Sequence, residues 1–323
     1  MTEAYYIQKA WLHICLILGL SGNIFVLHGT IAHNAIKLDV MSKWIVKNLA
    51  LVDILNCILV LSPILIIQYE GNVWTFGDTL CKLSAAYRFT FLCANVFLIN
   101  ALSFNKLYRC FFPLRFLVPS KRKMYVVTIV MVLFSLIPVG WIGFGLARGF
   151  NVAKFQPRRS TCEQTFTSSV PTVIQTIDKI LLVLCLAMSC LTLIISNTTL
   201  VGYAIMKSNT RVNKLNILIV LFVTASFLLS FVPLLIVLFL RIREKPRDFA
   251  WAAVFLSSWT NPFIYVAVNP RFREYTRNKL LFWMENQTVQ EFRSSISMTT
   301  PPPLPGVASP IGVTLQTAVD SVL

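Results

Sequence analysis

Residues Cys81–Leu114 read C-K-L-S-A-A-Y-R-F-T-F-L-C-A-N-V-F-L-I-N-A-L-S-F-N-K-L-Y-R-C-F-F-P-L. As a helix rising about 1.5 Å per residue, this run crosses the roughly 30 Å hydrocarbon core of a bilayer with a turn or two to spare. A cysteine opens it, Asn95 and Asn100 interrupt its apolar body, and a basic cluster with Pro113 closes it. The whole chain has the same character: of 323 residues, 56% are hydrophobic and 13% charged, where a soluble domain carries about 25% charged residues. Three His and 13 acids leave few candidates for catalysis, so no enzyme and no catalytic residue is expected. The net charge of +16 sits between apolar runs. That pattern favours basic loops of a membrane protein over a nucleic-acid binder.

Working outward from that run, the chain holds apolar stretches at Ile7–Ala32, Ser42–Gln68, Thr79–Phe112, Met124–Leu146, Thr176–Met206, Asn213–Leu240 and Phe249–Val268. Each must satisfy its backbone internally, which predicts helices. The short alternating segments of a barrel are absent. The expected fold is an all-α membrane protein: a seven-transmembrane-helix bundle with an amphipathic eighth helix and a disordered C-terminal tail. The seven-helix domain is read as residues 1–283 and the tail as 284–323, without structure from Gln287, where Ser, Thr, Pro and Gly dominate. The loops after runs one, three and five, with the tail, hold 17 of the 29 basic residues and 5 of the 13 acids. This excess predicts an outer N-terminus and a cytoplasmic tail. The start of the chain lacks a signal-peptide pattern, so the first run is expected to act as an uncleaved anchor. No internal repeat supports a duplicated transporter.

Several motifs fall in order along these runs. Gly22-Asn23 lies in the first. Asn48–Asp53 reads N-L-A-L-V-D in the second, placing an acid deep in a span, where it is usually paired or functional. Trp74–Cys81 reads W-T-F-G-D-T-L-C, and Cys162 follows in S-T-C-E-Q. Phe227–Pro233 reads F-L-L-S-F-V-P, with a helix-kinking proline. The last run carries N-P-F-I-Y at Asn261–Tyr265. From Gly22 to about Phe282 this conjunction resembles the rhodopsin-like (class A) G-protein-coupled receptors.

The resemblance implies a plasma-membrane, multi-pass receptor that binds an extracellular ligand within its bundle and signals to a heterotrimeric G protein, with arrestin and membrane lipids as further partners. It implies a Cys81–Cys162 disulfide at the outer face, in keeping with where disulfides persist. It implies a polar core of Asp53, Asn95, Ser257, Ser258 and Asn261, with Na+ as its candidate occupant and no other cofactor. Pro233, Pro262, Tyr203 and Tyr265 take the family's activation positions, Pro262 opening the backbone ladder and Asn261 satisfying the groups so freed. Asn269–Phe282 alternates Phe272, Tyr275, Leu280 and Phe282 with Arg271, Arg273, Arg277 and Lys279, as suits a helix lying on a leaflet.

The inner end of the third run departs from the family. Asn105 and Lys106 stand where an Asp-Arg pair is usual, and Asn213 and Lys214 where an acid is usual, so the acid–Arg–acid lock is expected not to form. Lys106 is a point charge without the bidentate fork of arginine. The alternative function is therefore a seven-helix decoy or scaffold with weak or no coupling. Phe255 stands at the retinal-lysine position, which excludes an opsin. Arg88 stands where amine receptors carry an Asp, which disfavours a cationic ligand. With Phe231, Trp251 and Phe255 it forms the candidate ligand site, suited to an acidic peptide or small anion. Arg148, Lys154, Arg158, Arg159, Arg241, Arg243, Lys245 and Arg247 give the outer rim a steering charge. The chain ends D-S-V-L at Leu323, a candidate PDZ ligand, after P-P-L-P at Pro302–Pro305, a candidate for WW or SH3 domains. No nucleic-acid partner and no metal ligand set is expected.

Overall fold

The computed structural model describes residues 3–31, 38–112, 121–137, 140, 153–156, 161–164, 172–207, 211–240 and 245–299. Its helices are α1 (Glu3–Ile31), α2 (Val40–Asn56), α3 (Ser62–Tyr69), α4 (Gly77–Phe111), α5 (Lys121–Ser135), α6 (Thr172–Lys207), α7 (Arg211–Phe239), α8 (Lys245–Ala253), α9 (Leu256–Val268) and α10 (Pro270–Thr299). Among the described residues, five segments are long and apolar enough to cross a membrane: Tyr6–Ile31, Val40–Tyr69, Gly77–Phe111, Leu186–Tyr203 and Ile217–Val237. The fourth apolar run is described mainly through α5, which holds a shorter apolar stretch at Met124–Ser135.

The helices close into a ring. α1 packs on α2, α2 on α4, α4 on α6, α6 on α7, α7 on α9 and α9 back on α1. α4 touches the most neighbours, including α5, α7 and both strands. Large apolar side chains such as Ile17, Ile24, Ile58, Ile129, Leu133, Ile195 and Leu229 face outward, while Asn23, Asp53, Asn56, Asn95, Thr224, Ser226, Ser230, Ser258 and Asn261 are buried. Apolar outside and polar inside is the arrangement expected of a bundle solvated by lipid.

Two spans depart from regular α-helix. In the second span α2 passes into a π-helical turn, Cys57–Leu61, before α3. Pro63 lacks an N–H and crowds the preceding turn, and the ladder accommodates it by widening, with the Ser62 N–H and Oγ both donating to the Cys57 carbonyl. The last run, expected as one span, is broken: α8 ends at Ala253, a turn covers Val254 and Phe255, and α9 begins at Leu256. Phe255 N–H reaches back to Ala252 at 3.3 Å and Ser258 N–H to Phe255 at 3.3 Å, a tightened turn that points Phe255 inward.

The all-α bundle carries one short hairpin: Ala153–Gln156 (β1) and Thr161–Gln164 (β2) pair antiparallel, with Phe155 opposite Cys162. Cys162 is bridged to Cys81 on α4, with Cα atoms 5.3 Å apart. Trp74 and Phe155 pack on this bridge, which anchors a hairpin too short to be stable alone. The stretch from Gln287, expected to lack structure, is helical through Thr299. Gln290, Glu291, Arg293 and Met298 are good helix formers, and no proline occurs before Pro301. Residues 300–323, with both short tail motifs, lie outside the described residues. The chain divides into compact units at Tyr275/Thr276, within α10; the first holds the bundle and the second the rest of that helix.

Candidate functional site

The cavity lies between α1, the second span, α4, α7, α8 and α9, and is open to solvent. Leu12, Ile64, Leu92, Phe231 and Phe255 form apolar wall; Gln8, Asn56, Arg88, Asn95, Thr161 and Ser257 supply polar groups. All four expected ligand-site residues, Arg88, Phe231, Trp251 and Phe255, line it. The Arg88 guanidinium lies 5.4 Å from the centre of the Trp251 ring, within cation–π range, on a side chain that is almost wholly buried. Phe89 meets the same ring edge-on at 6.2 Å. Trp251 Nε1 and Thr161 Oγ1 are buried without a hydrogen-bond partner among the described residues. Of the basic rim, Lys154, Lys245 and Arg247 stand on described backbone and the other five lie outside it.

Below the cavity sits the polar core. Asp53 is fully buried and accepts from Asn95 Nδ2 and Asn261 Nδ2, both at 3.2 Å. Asn56, which the motifs did not single out, donates to Ser258 Oγ at 3.2 Å. Ser257 Oγ is turned to the Val254 carbonyl at 3.1 Å. The amide oxygens of Asn95 and Asn261 have no partner among the described residues, and neither has the hydroxyl of Tyr265, itself buried. A carboxylate beside two unsatisfied amide oxygens is a donor set that suits a hard monovalent cation or water.

The Gly22-Asn23 pair explains how α9 tolerates its proline. Pro262 has no N–H to give to Ser258, four residues earlier. Asn23 Nδ2 takes that carbonyl at 2.6 Å and its own Gly19 carbonyl at 2.8 Å. The expected satisfier, Asn261, is instead committed to Asp53. A Cβ on Gly22 would lie 2.8 Å from Pro262 Cβ and Cγ, so only glycine lets α1 approach closely enough for Asn23 to reach.

At the far end of α4, about 38 Å from Cys81 at 1.5 Å per residue, Lys106 meets an acid that the motifs did not single out. Asp39, the N-cap of α2, gathers donors from two helices. Ser42 N–H donates to Oδ1 at 3.0 Å and Ser42 Oγ to Oδ2 at 2.8 Å; Asn105 Nδ2 reaches Oδ1 at 3.2 Å. Lys106 Nζ lies 2.5 Å and Arg109 Nη1 2.9 Å from Oδ2. Burial by itself raises the Asp39 carboxyl, but the Lys106 ammonium and the hydrogen bonds from Lys106 and Ser42 outweigh it and hold the group well below the usual carboxylate range. A depressed folded value means that its stabilising contribution is complete above the ordinary value of 3.8 and fades as pH falls through the folded one. Thermal unfolding of purified wild type and Asp39→Asn should therefore differ by the same amount at pH 7 and pH 5, and the gap should narrow below pH 4. A gap that closes between pH 7 and 5 would contradict the assignment. Tyr203, on α6, packs its ring 6.3 Å from that of Phe111 nearby.

A closed ring of apolar helices, a disulfide-anchored hairpin at one end, a cavity beneath it and a polar core deeper still define a seven-helix transmembrane receptor. The sequence matches the family described as 7 transmembrane receptor (rhodopsin family) over residues 22–265, and the chain belongs to that family. Members are receptors rather than enzymes, with extracellular ligands and G proteins as partners. The chain is 27% identical to cysteinyl leukotriene receptor 1 of Cavia porcellus over 72% of its length and 69% of the relative's. It is 27% identical to cysteinyl leukotriene receptor 1 of Homo sapiens over 67% of its length and 64% of the relative's. It is also similar to octopamine receptor beta-2R of Chilo suppressalis, at 25% identity over 43% of its length and 34% of the relative's. The chain thus spans about two thirds of the length of the leukotriene receptors it matches.

Proposed function

We propose that this receptor binds an anionic extracellular ligand, an acidic peptide or a small anion, in the cavity and signals to a heterotrimeric G protein. The observation that carries the ligand class is a buried cation in the lining, Arg88, framed by Trp251. Of the ligands named in the relatives, octopamine is an amine, which a buried guanidinium repels; the leukotriene receptors are the longer matches. The N-terminus and the Cys81–Cys162 bridge face outward, and the Asp39–Lys106 end faces the cytoplasm, as the loop charges favour. Na+ occupies the core at Asp53, completed by the Asn95 and Asn261 oxygens. Pro233, Pro262, Tyr203 and Tyr265 carry the activation movement. The tail recruits arrestin, and its last residues a PDZ domain through Leu323.

A screen of acidic peptides and small organic anions, read by G-protein dissociation beside arrestin recruitment, tests this reading. Hits should lose about 10- to 150-fold in affinity on Arg88→Ala, the equivalent of about 1.5–3 kcal/mol for a charge-assisted hydrogen bond, and less on Arg88→Lys. Equal affinity in all three would remove Arg88 from the site. The decoy reading is favoured by one observation, the burial of Lys106 against Asp39; binding without G-protein output, unchanged by Lys106→Arg, would select it.

A further inference from the structure

We infer that Asp39 is the acid of a substitute lock, a positioning residue that holds the inner end of α4 to the start of α2 in the resting receptor. The inference rests on the reading of this chain as a switching receptor, but its geometry stands apart from coupling. Asn105 and the start of α7 supply no carboxylate for Lys106. The needed charge comes from a residue 67 positions earlier in sequence. One carboxylate takes both cations of the K-L-Y-R stretch, Lys106 and Arg109, and is braced by Asn105 and Ser42. Asn105 Nδ2 also reaches Ser42 Oγ at 3.0 Å. The asparagine that removes the usual acid therefore serves here as a donor, pointing at the new one. Lys106 is buried, so its charge depends on that partner. Breaking a buried pair from one side leaves an uncompensated charge, which drives the helix end to rearrange.

The substitution Asp39→Asn separates this role from capping, because Asn caps α2 about as well as Asp. Cys110, a half-buried free thiol one turn beyond Lys106, reports on the helix end. The experiment measures N-ethylmaleimide labelling of Cys110 by site-resolved mass spectrometry, on full-length receptor in nanodiscs, beside basal G-protein turnover. Asp39→Asn should label Cys110 at least fivefold faster than wild type, with Cys15 and Cys57 still protected in the core. Asp39→Glu should recover part of the protection. Basal turnover should rise with labelling. If Asp39→Asn proves too unstable to purify, the double variant Asp39→Asn/Lys106→Met removes both charges and leaves a neutral pair; it should fold and also label fast. Labelling at the wild-type rate in the neutral variants overturns the lock, whether or not the receptor couples. Fast labelling with turnover at background in every variant keeps the lock and rejects coupling.

Discussion

Replacing Cys81 or Cys162 with Ala should strip most of the receptor from the cell surface. The bridge spans 81 residues of sequence, and releasing a loop of that length costs about 2–5 kcal/mol in known cases. Among the described residues, the hairpin is otherwise held by its two four-residue strands, the Trp74 and Phe155 rings, and the first turns of α4. Thr161 lines the cavity on the strand that carries Cys162, so loss of the bridge should degrade the ligand site as well as stability. The double variant Cys81→Ala/Cys162→Ala should behave as either single does, because the two thiols contribute through one bond. Surface immunolabelling and thermal unfolding check this. Normal surface levels in the double variant would show that the hairpin is held by other contacts.

The second large effect is expected where α1 meets α9. Gly22→Val places branched carbon against the Pro262 ring, which is already 2.8 Å from any Cβ, and overpacking of this kind costs about 1–3 kcal/mol or more. The rigid ring cannot yield, so the helices must part, and Asn23 then loses the Ser258 carbonyl. Asn23→Ala removes that hydrogen bond directly, at about 1–3 kcal/mol for a buried acceptor left unsatisfied. Pro262→Ala supplies the sign test. With an N–H restored at position 262, the helix satisfies Ser258 itself, so Asn23→Ala should cost clearly less in that background. Unfolding temperatures of the four proteins in one detergent complete the cycle; additive losses would show that Asn23 acts elsewhere.

The sequence displayed the span pattern well because lipid solvation forces long apolar runs, and the seven-helix order followed from motifs at their ends. It displayed single positions unevenly. Asp53 stood out because an acid in an apolar run is rare. Asn56 did not, and Gly22-Asn23 was visible only as a pair, because a neutral amide in a span has many uses and its partners lie more than 200 residues away. Asp39 was legible only as one acid among basic loop residues, with nothing to announce its cap on α2 or its reach to α4. The break at Val254–Phe255 carries no Gly or Pro, so only the tertiary frame reveals it. The helix over Gln287–Thr299 was concealed by Ser and Thr, whose weak local preferences its other residues override.

α4 has no proline between Gly77 and Phe111 and no glycine after its first residue. Three other spans carry a proline: the second at Pro63, α7 at Pro233 and α9 at Pro262. Arg88 and Lys106 are 18 residues apart, five full turns at 3.6 residues each, so they project along one azimuth of an unjointed rod about 27 Å apart. The bridge at Cys81 clamps one end of that rod as a fulcrum. A tilt of about 5° about it sweeps Lys106 through about 3 Å, given the 1.5 Å rise, comparable to the whole length of its contact with Asp39. The rod behaves as a gear stick, its grip inside the cavity and its tip in the latch.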